Sequence, residues 1–146
     1  MKNILVAVDL TDHSTRVLES AASLARLTHA KLWVVHVAAP EPDFVGYEVG
    51  PQYVRNIRAN ELREEHRRIQ AWAAEYSAQG IDSEAILITG YTAESLLDEV
   101  VKLEADLLVM GSRGHGILYD VVVGSVAAEV MRKNTTPLLL IPLPVA

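Results

Sequence analysis

The chain has 146 residues, half of them apolar, and a formal net charge of −6. That length suits one domain with a substantial core, and the apolar fraction excludes a disordered chain. The negative balance argues against a nucleic-acid binder, which needs a basic face for phosphates, and weakly against binding to anionic membranes. With no cysteine there are no disulfides, iron–sulfur clusters or Cys-type zinc sites, which suits a reducing cytoplasm.

The opening "MKNILVAVDL" begins like a secretory leader, but Asp9 interrupts the apolar run and no small-residue cleavage site follows. No apolar run approaches the ~20 residues of a membrane-spanning helix. The expectation is a cytoplasmic domain over residues 1–146 with nothing cleaved.

Asn3 to Val8 is a β-prone apolar run, as expected of a strand buried on both faces. Thr11, Asp12 and Ser14 offer N-caps to a helix whose inner stripe is Val17, Ala21, Leu24 and Ala25, widened by Leu18, Ala22 and Leu27, and which ends near His29. Lys31 to Ala38 is the second strand. Ala39 to Pro51, with three prolines and two glycines, reads as a loop. Gln52 to Gln79 is a long helical pattern with Val54, Ile57, Ile69, Trp72, Ala73 and Tyr76 inward, stopped by Gly80. The charges from Glu61 to Gln70 read as a solvated face with i,i+4 pairs.

Glu84 to Thr89 is the third strand, ended by Gly90. A helix over Thr92 to Leu103 follows, with Leu96, Leu97, Val100 and Leu103 inward. Asp106 to Met110 is the fourth strand. A glycine-rich stretch leads to a short helix over Gly124 to Asn134, with Val126, Ala127, Val130 and Met131 as its apolar side. Pro137 to Ile141 is the last strand, which Pro142 and Pro144 stop. Strands that alternate with helices and lack polar alternation predict a single-domain α/β fold: a parallel sheet covered by helices on both faces.

In such a sheet, ligands bind beyond the carboxyl ends of the strands, where strand order reverses. The glycine stretch lies at that end. Gly111 and Gly114 permit close approach of backbone to a ligand. Gly124 and Ser125 open a helix, whose N-terminus presents unpaired N–H groups to an anion. A plain turn before a helix would use similar residues. Asp9 fits a ligand contact or an Asx turn capping its own loop. His115 and Arg113 read as phosphate-side donors or as solvated loop residues. His36 is expected to be a core histidine with a backbone partner. His13, His29 and His66 show no ligand spacing, so no protein metal ligands are assigned. No nucleophile–base constellation and no P-loop is legible.

The order Gly111, two residues, Gly114, nine residues, Gly124 and Ser125 resembles the nucleotide-binding signature of the universal stress protein family. "ILVAVD", "VVHV", "ADLLVMGSRGHG" and "GSVAAEVMRKNTTPLLLIP" are similar to that family in order and position, across essentially the whole chain. The resemblance implies an open five-stranded parallel sheet of order 3-2-1-4-5, Rossmann-like and close to the adenine nucleotide α-hydrolase fold. It also implies a homodimer through the last strand and a site for ATP, AMP or ADP. By that likeness Asp9 meets the ribose, Val37 the adenine, and Gly111, Gly114, Gly124 and Ser125 the phosphates. Leu10, Thr11, Met110, Arg113, His115 and Val126 complete the site, and Mg²⁺ would travel with ATP. The function implied is that of a nucleotide-responsive regulator or interaction module in stress response, with at most slow hydrolysis and an unidentified protein partner. The rival readings are a nucleotide-free dimeric scaffold and a hydrolase or transferase of the same fold group.

Two departures stand out. Leu10 and Thr11 replace a frequent Gly-Ser after the first-strand aspartate. Ile117 to Asp120 lies where a basic residue is frequent, and Asp120 near phosphates predicts that ATP binding leans on Mg²⁺.

Overall fold

The computed structural model describes residues 1–39, 52–112 and 124–144. The elements in chain order are β1 (Asn3–Ala7), α1 (Ser14–Thr28), β2 (Lys31–Ala38), α2 (Gln52–Ala78), β3 (Ser83–Thr89), α3 (Thr92–Lys102), β4 (Leu107–Gly111), α4 (Ser125–Lys133) and β5 (Leu138–Ile141). Residues 40–51 of the expected proline-rich loop lie outside the described residues.

The sheet is parallel throughout, in the order β3-β2-β1-β4-β5. β1 sits centrally, with Val6 opposite Val34 of β2 on one side and Val109 of β4 on the other. Side chains alternate between two cores. Ile4, Val6, Leu32, Val34 and Val109 pack with α1 and α2. Leu5, Val35, Leu108 and Met110 pack with α3 and α4. Burial on both faces explains why the inner strands read as continuous apolar runs. Leu5 and Leu108, each fully buried, contribute about 1.5–3 kcal/mol apiece. On the first face the buried Tyr76 hydroxyl donates to Glu19 (2.9 Å), tying α2 to α1; burial, then the carboxylate, push its pKa up.

Several expectations need correction. Leu27, Ile57 and Met131 are exposed, not inward. Leu27 lies nine residues beyond Leu18, about half a turn around an α-helix of ~3.6 residues per turn. Met131 lies ~100° round from the buried Val130, at the border of its face. Ile57 has a different cause. At ~1.5 Å per residue α2 is about 40 Å long, whereas β2, the longest strand, spans about 26 Å. The buried residues of α2 are Ile69, Ala73 and Tyr76, so its first half overhangs the sheet. Its salt bridges Arg58–Glu61 and Arg67–Glu64 are i,i+3 pairs rather than the expected i,i+4. The N-cap of α1 is His13, with no side-chain cap bond; the Thr11 and Ser14 hydroxyls bond Asp9 instead. β4 is shifted one residue later than expected: Asp106 stays outside the ladder, and Gly111 joins it opposite Ile141.

Candidate functional site

Strand order turns between β1 and β4. The chain leaves β1 through α1 toward β2, and leaves β4 through α4 toward β5, with the two helices on opposite faces. The connections that leave the carboxyl ends of β1 and β4 therefore part to opposite faces, the position where open α/β sheets form a crevice for ligands.

On the β1 side, Val8 continues past the strand, its N–H bonded to the Val35 carbonyl (2.9 Å). Asp9 follows. Its Oδ1 accepts the Thr11 N–H (3.1 Å), the Thr11 hydroxyl (2.7 Å) and the Ser14 hydroxyl (3.1 Å). This is an Asx turn that also recruits the first residue of α1, so the capping role is real. None of the hydrogen bonds among the described residues uses Oδ2. Between Asp9 and Thr11, Leu10 has φ 63°, the left-handed region that glycine enters freely and leucine does not. The conformation open to the glycine that Leu10 replaces is thus demanded here, and leucine adopts it without glycine's backbone freedom. The Leu10 side chain packs on the α1/α2 core.

On the next strand Val37 is half-buried, in register with Ile88 and on the α3/α4 face. It is the penultimate residue of β2, not its end. His36, alternate to it, faces the other core, and its Nδ1 lies 2.8 Å from the Val8 carbonyl, as expected of a core histidine with a backbone partner. Because a carbonyl only accepts, Nδ1 carries the proton.

On the β4 side, Met110 is buried on the same face as Val37, and Gly111 closes the strand. The buried Ser112 then knots three segments. Its N–H donates to the Ile141 carbonyl (2.9 Å), its carbonyl accepts from Gly124 N–H (2.6 Å), and its hydroxyl accepts from Leu143 N–H (3.1 Å). Gly124 is the N-cap of α4, at φ −67° and ψ 162°, with no side-chain cap bond. Ser125 is exposed at the first turn and Val126 is half-buried against the α3/α4 core. The first turn of α4 therefore offers backbone N–H groups and the positive end of its dipole beside the end of β4. Among the described residues, Asp9, Leu10, Thr11, Val37, Met110, Gly111, Gly124, Ser125 and Val126 all stand at the carboxyl end of the sheet. Arg113, Gly114, His115 and Asp120 lie outside the described residues.

Several contributors went unread in the sequence. Ser14 was read as a helix cap and not as a partner of Asp9, and Ser112 was indistinguishable from an ordinary polar residue. Arg68 sat in what read as a solvated charged face, Glu61 to Gln70, and Arg58, three residues before it, drew no reading. Arg68 Nη2 donates to the Leu10 carbonyl (3.1 Å), and Arg58 Nη2 donates to the Ala39 carbonyl. Glu65, from the same face, has its Oε2 3.7 Å from His36 Nε2. The spacing Arg58, Glu65, Arg68 continues the inward stripe of Ile69 and Trp72 toward the helix start, which was the available signal.

A model of the universal stress protein family matches residues 1–142. A universal stress protein of Thermus aquaticus is 34% identical over 141 residues, covering 96% of this chain and 98% of the relative. The chain belongs to the universal stress protein family. Among solved structures, the universal stress protein from Archaeoglobus fulgidus in complex with dAMP is 25% identical, with a TM-score of 0.65 and coverage of 96% of this chain and 97% of that one. Another universal stress protein, solved in complex with cAMP, is 24% identical with a TM-score of 0.70, covering 99% and 98%. The family's order 3-2-1-4-5 is the order found here.

Proposed function

We propose that the chain binds an adenine nucleotide, ATP or its shorter forms ADP and AMP, in the crevice between the ends of β1 and β4. The observation that carries this reading is the pairing of opposite chemistries across the switch point. An aspartate with one carboxylate oxygen uncommitted among the described residues stands on the β1 side. A helix start without a side-chain cap stands on the β4 side. The first accepts from ribose hydroxyls and the second donates to phosphates. Relatives named for complexes with dAMP and cAMP support adenine as the base.

Val37 and Met110, on one sheet face and on either side of β1, line the adenine end. Gly111, Ser125 and Val126, with Arg113, Gly114 and His115 from the sequence, serve the phosphate end. Mg²⁺ would travel with ATP and offset its phosphate charge, and no group of three His, Asp or Glu side chains among the described residues gathers to hold it alone. Among the described residues no base is placed to activate water; on this reading hydrolysis is slow and the nucleotide acts as a signal in a regulatory module of stress response. Among the described residues β5 pairs only with β4, and its Leu138, Leu139 and Leu140 are half-buried. Its open edge is the seat of a homodimer.

Calorimetric titration with AMP and ATP, with and without EDTA, tests the reading. Saturable heat with both nucleotides, and a stronger EDTA effect on ATP, are expected. No heat and no shift in melting temperature with either nucleotide overturn it. Light scattering of Leu140→Lys beside the parent chain tests the dimer, for which a monomeric parent is the contrary result.

A further inference from the structure

Where β1 and β2 leave the sheet, the backbone is held from outside its own loops. His36 takes the Val8 carbonyl, Arg58 the Ala39 carbonyl and Arg68 the Leu10 carbonyl, the last across 58 residues of sequence. Arg68 stands out among these. Its neighbour Arg67 is engaged with Glu64 in three hydrogen bonds. Arg68 makes no salt bridge among the described residues and places a guanidinium hydrogen bond on loop backbone instead.

The carbonyl it holds belongs to the one residue of this loop in a left-handed conformation. Leu10 sits between Asp9 and Thr11, which are joined twice through Oδ1. If Leu10 relaxed to a negative φ, the direction of the chain after Asp9 would change, Thr11 would swing away, and the carboxylate would lose the partners that fix its rotamer. Nothing intrinsic to leucine prevents that relaxation. Three things oppose it: the two Asp9–Thr11 bonds themselves, packing of the Leu10 side chain on the α1/α2 core, and the Arg68 hydrogen bond to its carbonyl.

We infer that Arg68 is a positioning residue for the nucleotide's ribose, acting through the Leu10 carbonyl to hold the strained turn that aims Asp9. The inference rests on the nucleotide reading above and adds to it a residue on α2, a helix that contributes none of the proposed contacts. Its signature is specific. Arg68 acts on the ribose contact, so its loss weakens AMP and ATP by the same factor, whereas a phosphate-contacting arginine would favour ATP. It acts through Asp9, so its effect disappears when Asp9 no longer contributes.

The test measures AMP and ATP affinity by calorimetry for the parent chain, Arg68→Met, Arg68→Lys, Asp9→Asn and the double variant Asp9→Asn with Arg68→Met. Methionine keeps the stem and removes the donors. A single hydrogen bond corresponds to about a 2- to 10-fold loss, expected equally for both nucleotides in Arg68→Met. Lysine, which restores a donor, recovers part of it. In the Asp9→Asn background the same change adds less than ~2-fold, because coupled sites are not additive. Amide hydrogen exchange at Thr11 in the ligand-free protein quickens in Arg68→Met and slows again in Arg68→Lys. Unchanged affinity in Arg68→Met, a full additive loss in the Asp9→Asn background, or a selective loss of ATP each overturns the inference while leaving nucleotide binding intact. A parent chain that binds neither nucleotide overturns both.

Discussion

The two ends of the sheet each carry an aspartate that gathers hydrogen bonds, and they use it differently. At the amino end, Asp106 Oδ2 accepts the N–H groups of Lys2 (2.7 Å) and Asn3 (2.9 Å), more than a hundred residues away in sequence, while its own N–H donates to the Asn3 carbonyl (2.8 Å). Trp33 Nε1 donates to Asn3 Oδ1 (3.1 Å) and Lys31 lies 4.1 Å over the Trp33 ring, so that end closes on itself. At the carboxyl end, among the described residues, Asp9 bonds only residues two to five places on, and through one oxygen. The long-range ties there come from α2 and from Ser112, which hold backbone rather than the carboxylate. One end spends its aspartate on joining strands. The other secures its strands by other means and leaves its aspartate a face to offer.

The largest effect expected from that contrast is at the carboxyl end. Gly124→Val places a branched side chain at the proposed phosphate seat. The backbone there is in an ordinary region, so valine fits its φ and ψ, and the penalty to the fold is the ~1 kcal/mol of a poor N-cap. Nucleotide binding by calorimetry should vanish while the far-ultraviolet spectrum is kept; retained affinity would move the phosphates away from α4.

Asp9→Asn ranks next. The amide keeps a carbonyl oxygen for Thr11 and Ser14 and replaces the second carboxylate oxygen with a donor. Affinity for AMP and ATP should fall alike by about 1–3 kcal/mol, the range of one hydrogen bond to a charged group. The melting temperature without ligand should stay near that of the parent. A large drop in melting temperature with unchanged affinity would make Asp9 as structural as Asp106.

Left-handed residues sharpen the comparison. His29 and Glu104, at the amino end, have φ of 57° and 51°, and both are exposed residues at helix ends. Glycine at either should stabilise by about 0.5–1 kcal/mol, the left-handed cost of ~1–2 kcal/mol less the extra chain entropy of glycine. Leu10 has the same strain but is packed on the core and held by Arg68. Leu10→Gly should therefore gain nothing, since lost packing offsets relieved strain. Urea midpoints for the three variants decide it, and an equal gain at Leu10 would mean that its packing contributes little.

The fold was legible because burial on both faces leaves no polar alternation in Ile4 to Val6 or Leu107 to Val109. Topology came from family likeness, since no local pattern sets the order of strands. Ile57 misled because periodicity describes a helix and not the sheet beneath it: the stripe continues where the sheet has ended. Asp9 and the glycines were legible as a group, because their residue types are rare in such positions unless the backbone needs them. Arg58, Glu65 and Arg68 were not, because a charge reaching a loop carbonyl or a histidine and a charge reaching water share the same letter. Leu10 was visible only as a missing glycine; that leucine adopts the glycine conformation depends on contacts from α2, far away in sequence.

The smallest effect belongs to Asp106, which makes its test one of pH rather than size. The backbone N–H of Asn3, then that of Lys2, hold its carboxyl below the ordinary value of 3.8. A carboxylate whose pKa is lower folded than unfolded stabilises the fold above the unfolded pKa, and that stability is lost as pH falls through the folded value. Both N–H groups bond one oxygen, Oδ2, so Asp106→Asn retains a carbonyl acceptor for them and removes the charge alone. The variant should be less stable than the parent by the same small margin from neutral pH down to about 4. Below that the margin should shrink, and the two should converge once the parent's carboxyl is protonated in the folded state. Urea unfolding of both at a series of pH values reads the margin directly. A margin that stays constant into the acid range would mean that the acceptor geometry, and not the charge, is what Asp106 contributes, and the amino end would then differ from the carboxyl end in reach alone.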